Sequence, residues 1–78
     1  MDIMSQILEA ARGGAMKTKI MYKASLSYPQ LKGYLSMLIE NALLEYEKGR
    51  HEYRTTEKGM KFMHFYHDMD QITGLKKM

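Results

Sequence analysis

The sequence predicts a mainly α-helical fold with one small β-hairpin, an α+β arrangement, and three observations carry that expectation. Apolar residues recur at helical spacing in four separate stretches of the chain. Ser27 and Gln30 stand three apart with Pro29 between them, which marks a helix start in mid-chain. Two runs containing Leu, Tyr and Thr flank Gly49-Arg50, which marks a hairpin.

Taken in order, Asp2 to Ala11 places Ile3, Met4, Ile7, Leu8 and Ala11 on one stripe, so a first helix is expected there, ended by Gly13-Gly14. Ala15-Met16 is a candidate short strand. A second helix is expected from Lys17 to Ala24, with Ile20 and Met21 inward and Lys17, Lys19 and Lys23 in water. Ser25-Leu26-Ser27 reads as a tight connection, and the capping pair starts a third helix near Tyr28. Its stripe is Leu31, Tyr34, Leu35, Leu38 and Ala42 with Ile39 alongside, leaving Gln30, Lys32, Gly33, Ser36, Met37 and Glu40 on or near the outer face.

The runs Leu43 to Lys48 and His51 to Thr55 form the hairpin, and glycine at the first central position is the signature of a type II′ turn. That register sets Tyr46 opposite Tyr53 and Glu45 opposite Arg54, both favourable, and Glu47 opposite Glu52, unfavourable. Thr55 or Thr56 is expected to cap a last helix from Glu57 to at least Asp70, carrying Phe62, Met63, Tyr66, Met69 and Ile72 on one side. Gly74 weakens or ends it. The order of helix, short strand, helix, turn, helix, hairpin and terminal helix is that of a winged helix-turn-helix with an extra C-terminal helix. Residues 1–55 are expected to form that domain and residues 56–78 a helix for dimerisation.

A chain of 78 residues makes one domain with a thin stability margin, because a domain this short buries only about 60% of its unfolded surface. With no cysteine, apolar packing alone must hold it, which fits a reducing compartment. The N-terminus lacks the features of a signal peptide and no apolar run approaches a membrane span, so a cytoplasmic protein without membrane contact is expected. No phosphate loop, nucleophile elbow or apolar carboxylate pair is present, so neither catalytic residues nor a cofactor is expected. His64 and His67 have metal-ligand spacing, with Asp68 adjacent, but nothing completes a set. They read as polar surface or interface residues, and no metal is expected. The nine methionines read as core filler and adaptable interface. So short a chain leaves little room for a small-molecule pocket.

The 12 Lys and Arg exceed the 9 Asp and Glu only modestly, but their distribution is uneven. From Ala10 through Ile39 there is no acidic residue, while Arg12, Lys17, Lys19, Lys23 and Lys32 all fall in that stretch. A polyanion suits such a surface.

The segment TKIMYKASLSYPQLKGYLSMLIENALL, Thr18 to Leu44, followed by YRTTEKGMKFM, Tyr53 to Met63, resembles a family of small archaeal winged-helix proteins. In that family an I-M-Y-x-A-x-L-S-Y stretch spans the helix-turn-helix, here Ile20 to Tyr28, and a T-E-K-G element opens the last helix, here Thr56 to Gly59. The resemblance implies DNA binding, as a transcriptional regulator or an abundant chromatin-associated protein, and often dimerisation through an antiparallel coiled coil of the last helix. Two features depart from the pattern. Position 42 is Ala where glycine commonly precedes the hairpin, and at most three heptads fit between Thr56 and Met78.

With double-stranded DNA as the expected partner, the third helix, about residues 28–41, is the candidate reader of the major groove. Gln30 suits adenine, Lys32 and Ser36 suit phosphate or base acceptors, Gly33 lets the backbone come close, and Tyr28 sits where phosphate contacts are usual. Lys17 and Lys19 are further candidate phosphate contacts. The wing tip, about residues 48–50, offers Lys48 and Arg50 to the backbone, although Glu45, Glu47 and Glu52 nearly cancel its charge. Phe62, Met63, Tyr66, Met69 and Ile72 are the candidate seam of a homodimer. The alternative from another class is a winged-helix docking module that binds protein and no DNA.

Overall fold

The computed structural model describes the backbone of residues 3–74 and the side chains of residues 3–65. The chain runs α1 (Ile3–Ala10), α2 (Lys17–Ala24), α3 (Tyr28–Glu40), β1 (Leu44–Glu47), β2 (Glu52–Thr55) and α4 (Glu57–Gly74), with the two strands antiparallel. The architecture is the α+β one that the patterning predicts.

The core draws one or two large side chains from each early element. Ile7 and Leu8 of α1, Ile20 of α2, Leu31 and Leu38 of α3 and Leu44 of β1 are wholly out of water. Each such burial contributes about 1.5–3 kcal/mol. The start of α4 closes the core: Met63 is buried in it, and Met60 and Phe62 pack against it. Gly59 makes that approach possible. A Cβ there would lie 2.2 Å from the Leu43 carbonyl oxygen and 2.7 Å from Thr55 Cγ2.

Of the two threonines that the sequence offered as the cap of α4, Thr56 takes that role and Thr55 bonds to the end of α1. The Thr55 N–H donates to the Ala11 carbonyl at 3.0 Å and its hydroxyl to the Leu8 carbonyl at 2.6 Å, satisfying two acceptors at the end of α1. Thr56 is the cap of α4: its Oγ1 accepts the Gly59 N–H at 3.0 Å and donates to the Ala42 carbonyl at 2.6 Å.

Both middle helices stop through a left-handed residue that carries a Cβ. Ser25 at φ 55 ends α2, with the Leu26 N–H donating to the Met21 carbonyl at 3.1 Å. Ala42 at φ 60 ends α3, where its N–H donates to the Ile39 carbonyl at 3.0 Å and the Leu43 N–H to the Leu38 carbonyl at 2.9 Å.

Three expectations need correcting. Ala15 forms only an isolated bridge to Tyr53, with N–H···O distances of 2.9 and 2.8 Å, and Met16 turns away at once to precede α2. Ala42 leaves the α3 stripe because it is the left-handed stop, and Ile39 is 40% exposed because it sits roughly a quarter turn from the Leu31, Leu35 and Leu38 line. The hairpin register is the expected one, Glu45 to Arg54, Tyr46 to Tyr53 and Glu47 to Glu52, but its turn is not type II′. The ladder ends at the like-charged Glu47 and Glu52 pair, and Lys48, Gly49, Arg50 and His51 form a four-residue loop. The Arg50 N–H donates to the Glu47 carbonyl at 3.2 Å, the His51 N–H to the Lys48 carbonyl at 3.3 Å, and the positive φ of the loop, 54°, belongs to His51 rather than Gly49.

Candidate nucleic-acid interface

The start of α3 is fixed by a complete capping box. Ser27 Oγ accepts the Gln30 N–H at 3.4 Å, and Gln30 Oε1 accepts the Ser27 N–H at 3.0 Å and the Ser27 hydroxyl at 3.0 Å. Pro29 occupies the first turn, where its missing N–H costs nothing. Gln30 is therefore engaged by its oxygen, which leaves its amide NH₂ as the group free to donate outward.

With Leu31, Leu35 and Leu38 buried, the opposite face of α3 presents Pro29, Gly33, Ser36 and Glu40, flanked by Tyr28 and Lys32 on one side and Met37 on the other. All of these residues are exposed. A Cβ at Gly33 would have no heavy atom within 4 Å. Packing within the chain thus gives no reason for glycine at that site, although an interior glycine costs about 1 kcal/mol against alanine.

Lys17 and Lys19 occupy the first turn of α2, which no side chain caps. Lys19 is exposed to solvent, whereas Lys17 reaches across to α3 and places its ammonium 4.6 Å from the Tyr28 ring centroid. That contact draws Lys17, Tyr28 and the exposed face of α3 into one surface.

Lys48, Gly49 and Arg50 are exposed at the wing tip. The two-residue alternation of the strands separates the charges near them. Glu45, Glu47, Glu52 and Arg54 share one hairpin face, and Arg54 pairs there with Glu47. Tyr46 and Tyr53 lie on the other face with the buried Leu44 and Thr55. Their ring centroids are 4.8 Å apart, and the Tyr46 hydroxyl shares a 3.1 Å hydrogen bond with His51 Nδ1. Burial, followed by the neighbouring Tyr46 and Tyr28, raises the Tyr53 phenol above its ordinary pKa. The Lys17 to Tyr28 contact and the role of His51 were missed by sequence reasoning. The charge separation was available in it, because the predicted register already implied the two faces.

On α4, Met63 is 7% exposed within the chain's own core, Phe62 is half-buried against that core, and His64 and Phe65 are exposed. Tyr66, His67, Asp68, Met69 and Ile72 fall outside the residues whose side chains are described. Among the described residues, no three of His, Asp or Glu gather to hold a metal ion, and no helix is long and apolar enough to cross a membrane.

A family model for the winged helix-turn-helix matches residues 1–74. Among solved structures the chain is similar to Sso10a-2, a DNA-binding protein from Sulfolobus solfataricus, with a TM-score of 0.76 over 96% of this chain and 84% of that one. The two are 22% identical, so the likeness is one of fold. No curated protein matches the sequence.

Proposed function

This chain belongs to the winged helix-turn-helix family, and from that premise we propose that it binds double-stranded DNA with α3 in the major groove and the wing tip on the backbone. The observation that carries the reading is the acid-free stretch from Ala10 to Ile39, which coincides with α2, the turn and all but the last residue of α3. Lys17, Lys19, Lys32, Lys48 and Arg50 contact phosphates. Tyr28 lies against the backbone at the helix start, and Gly33 and Ser36 face the base edges with the Gln30 amide beside them. The segregation of Glu45, Glu47 and Glu52 to one hairpin face supports a wing whose exposed tip, Lys48 and Arg50, meets the backbone. The similarity in fold to a DNA-binding protein supports the same reading.

The protein acts as a homodimer at nucleoid DNA in the cytoplasm, as a regulator or a chromatin component. Residues 56–78 supply the contact between copies through Phe62, Tyr66, Met69 and Ile72. Met63, buried in its own chain, anchors the helix that carries them.

A fluorescence titration of a random-sequence duplex over a salt series tests the assignment. Each neutralised phosphate adds about 0.9 to the slope of log affinity against log salt, so Lys32→Ala flattens it by about one unit. Weak, salt-independent binding overturns the reading in favour of a protein-docking module. Sedimentation equilibrium at roughly tens of micromolar tests the dimer, and a monomer there counts against it.

A further inference from the structure

The hairpin carries two tyrosines on the face away from its glutamates. On its core side the ladder runs from the buried pair Leu44 and Thr55 outward to Tyr46 and Tyr53, so the core face emerges into solvent as a ledge of tyrosine rings. The two rings are tilted by 50° with centroids 4.8 Å apart, and the bond to His51 Nδ1 holds the outer ring in place. Tyr28, at the start of α3, is a further exposed ring and carries Lys17 over it. Tyr46 is 43% exposed and Tyr28 42%.

Charge on this side favours an anion. Lys48 and Arg50 are exposed in the loop that follows Tyr46, and the three glutamates of the hairpin are turned to the opposite face. A row of π-faces beside cations fits a strand whose bases are unpaired, because bases in a duplex have their faces covered by their neighbours. Phosphate groups alone would not need the rings.

We infer that the Tyr53 and Tyr46 ledge is a binding site for single-stranded nucleic acid, which stacks unpaired bases on the rings while Lys48 and Arg50 of the adjoining loop track the strand. The site shares Lys48 and Arg50 with the duplex reading but rests on the exposed rings, which that reading does not use. Stacking is indifferent to the sugar, so DNA and RNA strands share the chemistry, and any contact to a 2′-hydroxyl separates them.

The test measures binding of labelled oligo(dT), oligo(U) and a duplex of equal length by wild type, Tyr46→Leu and Tyr46→Phe, with circular dichroism to verify folding. Wild type binds both single strands. Tyr46→Leu weakens them by about fivefold to a hundredfold, Tyr46→Phe keeps them within about twofold because the ring remains, and duplex affinity stays level in both. Upfield shifts of the Tyr46 and Tyr53 ring protons on addition of oligo(dT) report stacking without any substitution. A preference for oligo(U) over oligo(dT) marks RNA as the strand, and the reverse marks DNA. Duplex binding with no single-strand binding overturns this inference alone. Single-strand affinity unchanged in Tyr46→Leu also overturns it, as does an equal loss of duplex affinity, which would assign Tyr46 to the duplex interface.

Discussion

Lys17 Nζ lies 4.6 Å from the centroid of the Tyr28 ring, so the first turns of α2 and α3 are joined by a cation over an aromatic face. A lysine at a helix N-terminus opposes the helix dipole, and the ring supplies a local offset. The pair ties the two helix starts together on the surface that carries the exposed face of α3.

A double-mutant cycle with Lys17→Met and Tyr28→Leu, followed by urea unfolding, is expected to show a coupling of about 0.5–1 kcal/mol, the range for an exposed cation–π contact. Additive effects would mean that the two residues are merely neighbours.

Much of this surface was legible before the structure, and the reasons differ by residue. The capping box was readable because Ser27, Pro29 and Gln30 act within one helical turn, where spacing alone determines contact. The hairpin register was readable because side-chain alternation and loop length fix it together. The turn was not, since the ladder stops at Glu47 and Glu52, two residues short of a tight turn, and a histidine rather than Gly49 holds the left-handed position. Lys17 and Tyr28 stand eleven apart in the chain on separate helices, so only the angle between those helices brings them together. Ile39 stands alongside the stripe, and its exposure was not legible because a residue at the edge of a stripe is buried or wet according to what packs beside it.

The capping role of Gln30 separates stability from binding. Gln30→Glu keeps an acceptor for the Ser27 N–H and places a negative charge at a helix N-terminus, a gain of about 0.3–1 kcal/mol. The same charge repels phosphate. Urea unfolding is expected to show equal or greater stability, and duplex titration a clear loss of affinity. Unchanged affinity would remove residue 30 from the interface.

Ala42 holds φ 60 at the end of α3 where the related pattern has glycine. The left-handed conformation costs an L-residue about 1–2 kcal/mol, and glycine returns some of that through the greater entropy of its unfolded chain. Ala42→Gly is therefore expected to stabilise the fold by roughly 0.5–1 kcal/mol, read as a higher thermal midpoint. A lower midpoint would show that the Ala42 methyl contributes packing of its own.

The Tyr53 phenol is raised above its usual value by burial and then by Tyr46 and Tyr28. The folded chain thus holds that proton more tightly than the unfolded one. Its contribution to stability is complete below the unfolded pKa of about 10 and is lost as pH climbs through the folded value. Tyr53→Phe has no proton to lose there, so its urea midpoint is expected to fall less steeply than that of wild type above about pH 10. Parallel curves would count against the shift.

Gly59 and Gly33 are both helical glycines, and the structure gives them opposite roles. At Gly59 a Cβ meets the Leu43 carbonyl oxygen at 2.2 Å, so Gly59→Ala must push α4 off the hairpin and is expected to lose at least about 1–3 kcal/mol of stability. At Gly33 a Cβ meets nothing within 4 Å, so Gly33→Ala is expected to gain about 0.8–1 kcal/mol from helix propensity. For a chain of this size that gain raises the thermal midpoint by about 4–8 °C. If α3 brings its backbone against base edges at this point, the added methyl stands in the way and duplex binding weakens by about 1 kcal/mol or more, the lower range for a disrupted base contact. The informative result is the combination: a variant that melts higher than wild type while binding duplex more weakly places Gly33 at the interface by function rather than by packing. A variant that melts higher and binds duplex as tightly as wild type removes the close approach at Gly33 and points to Lys32 and Ser36 as the contacts of α3.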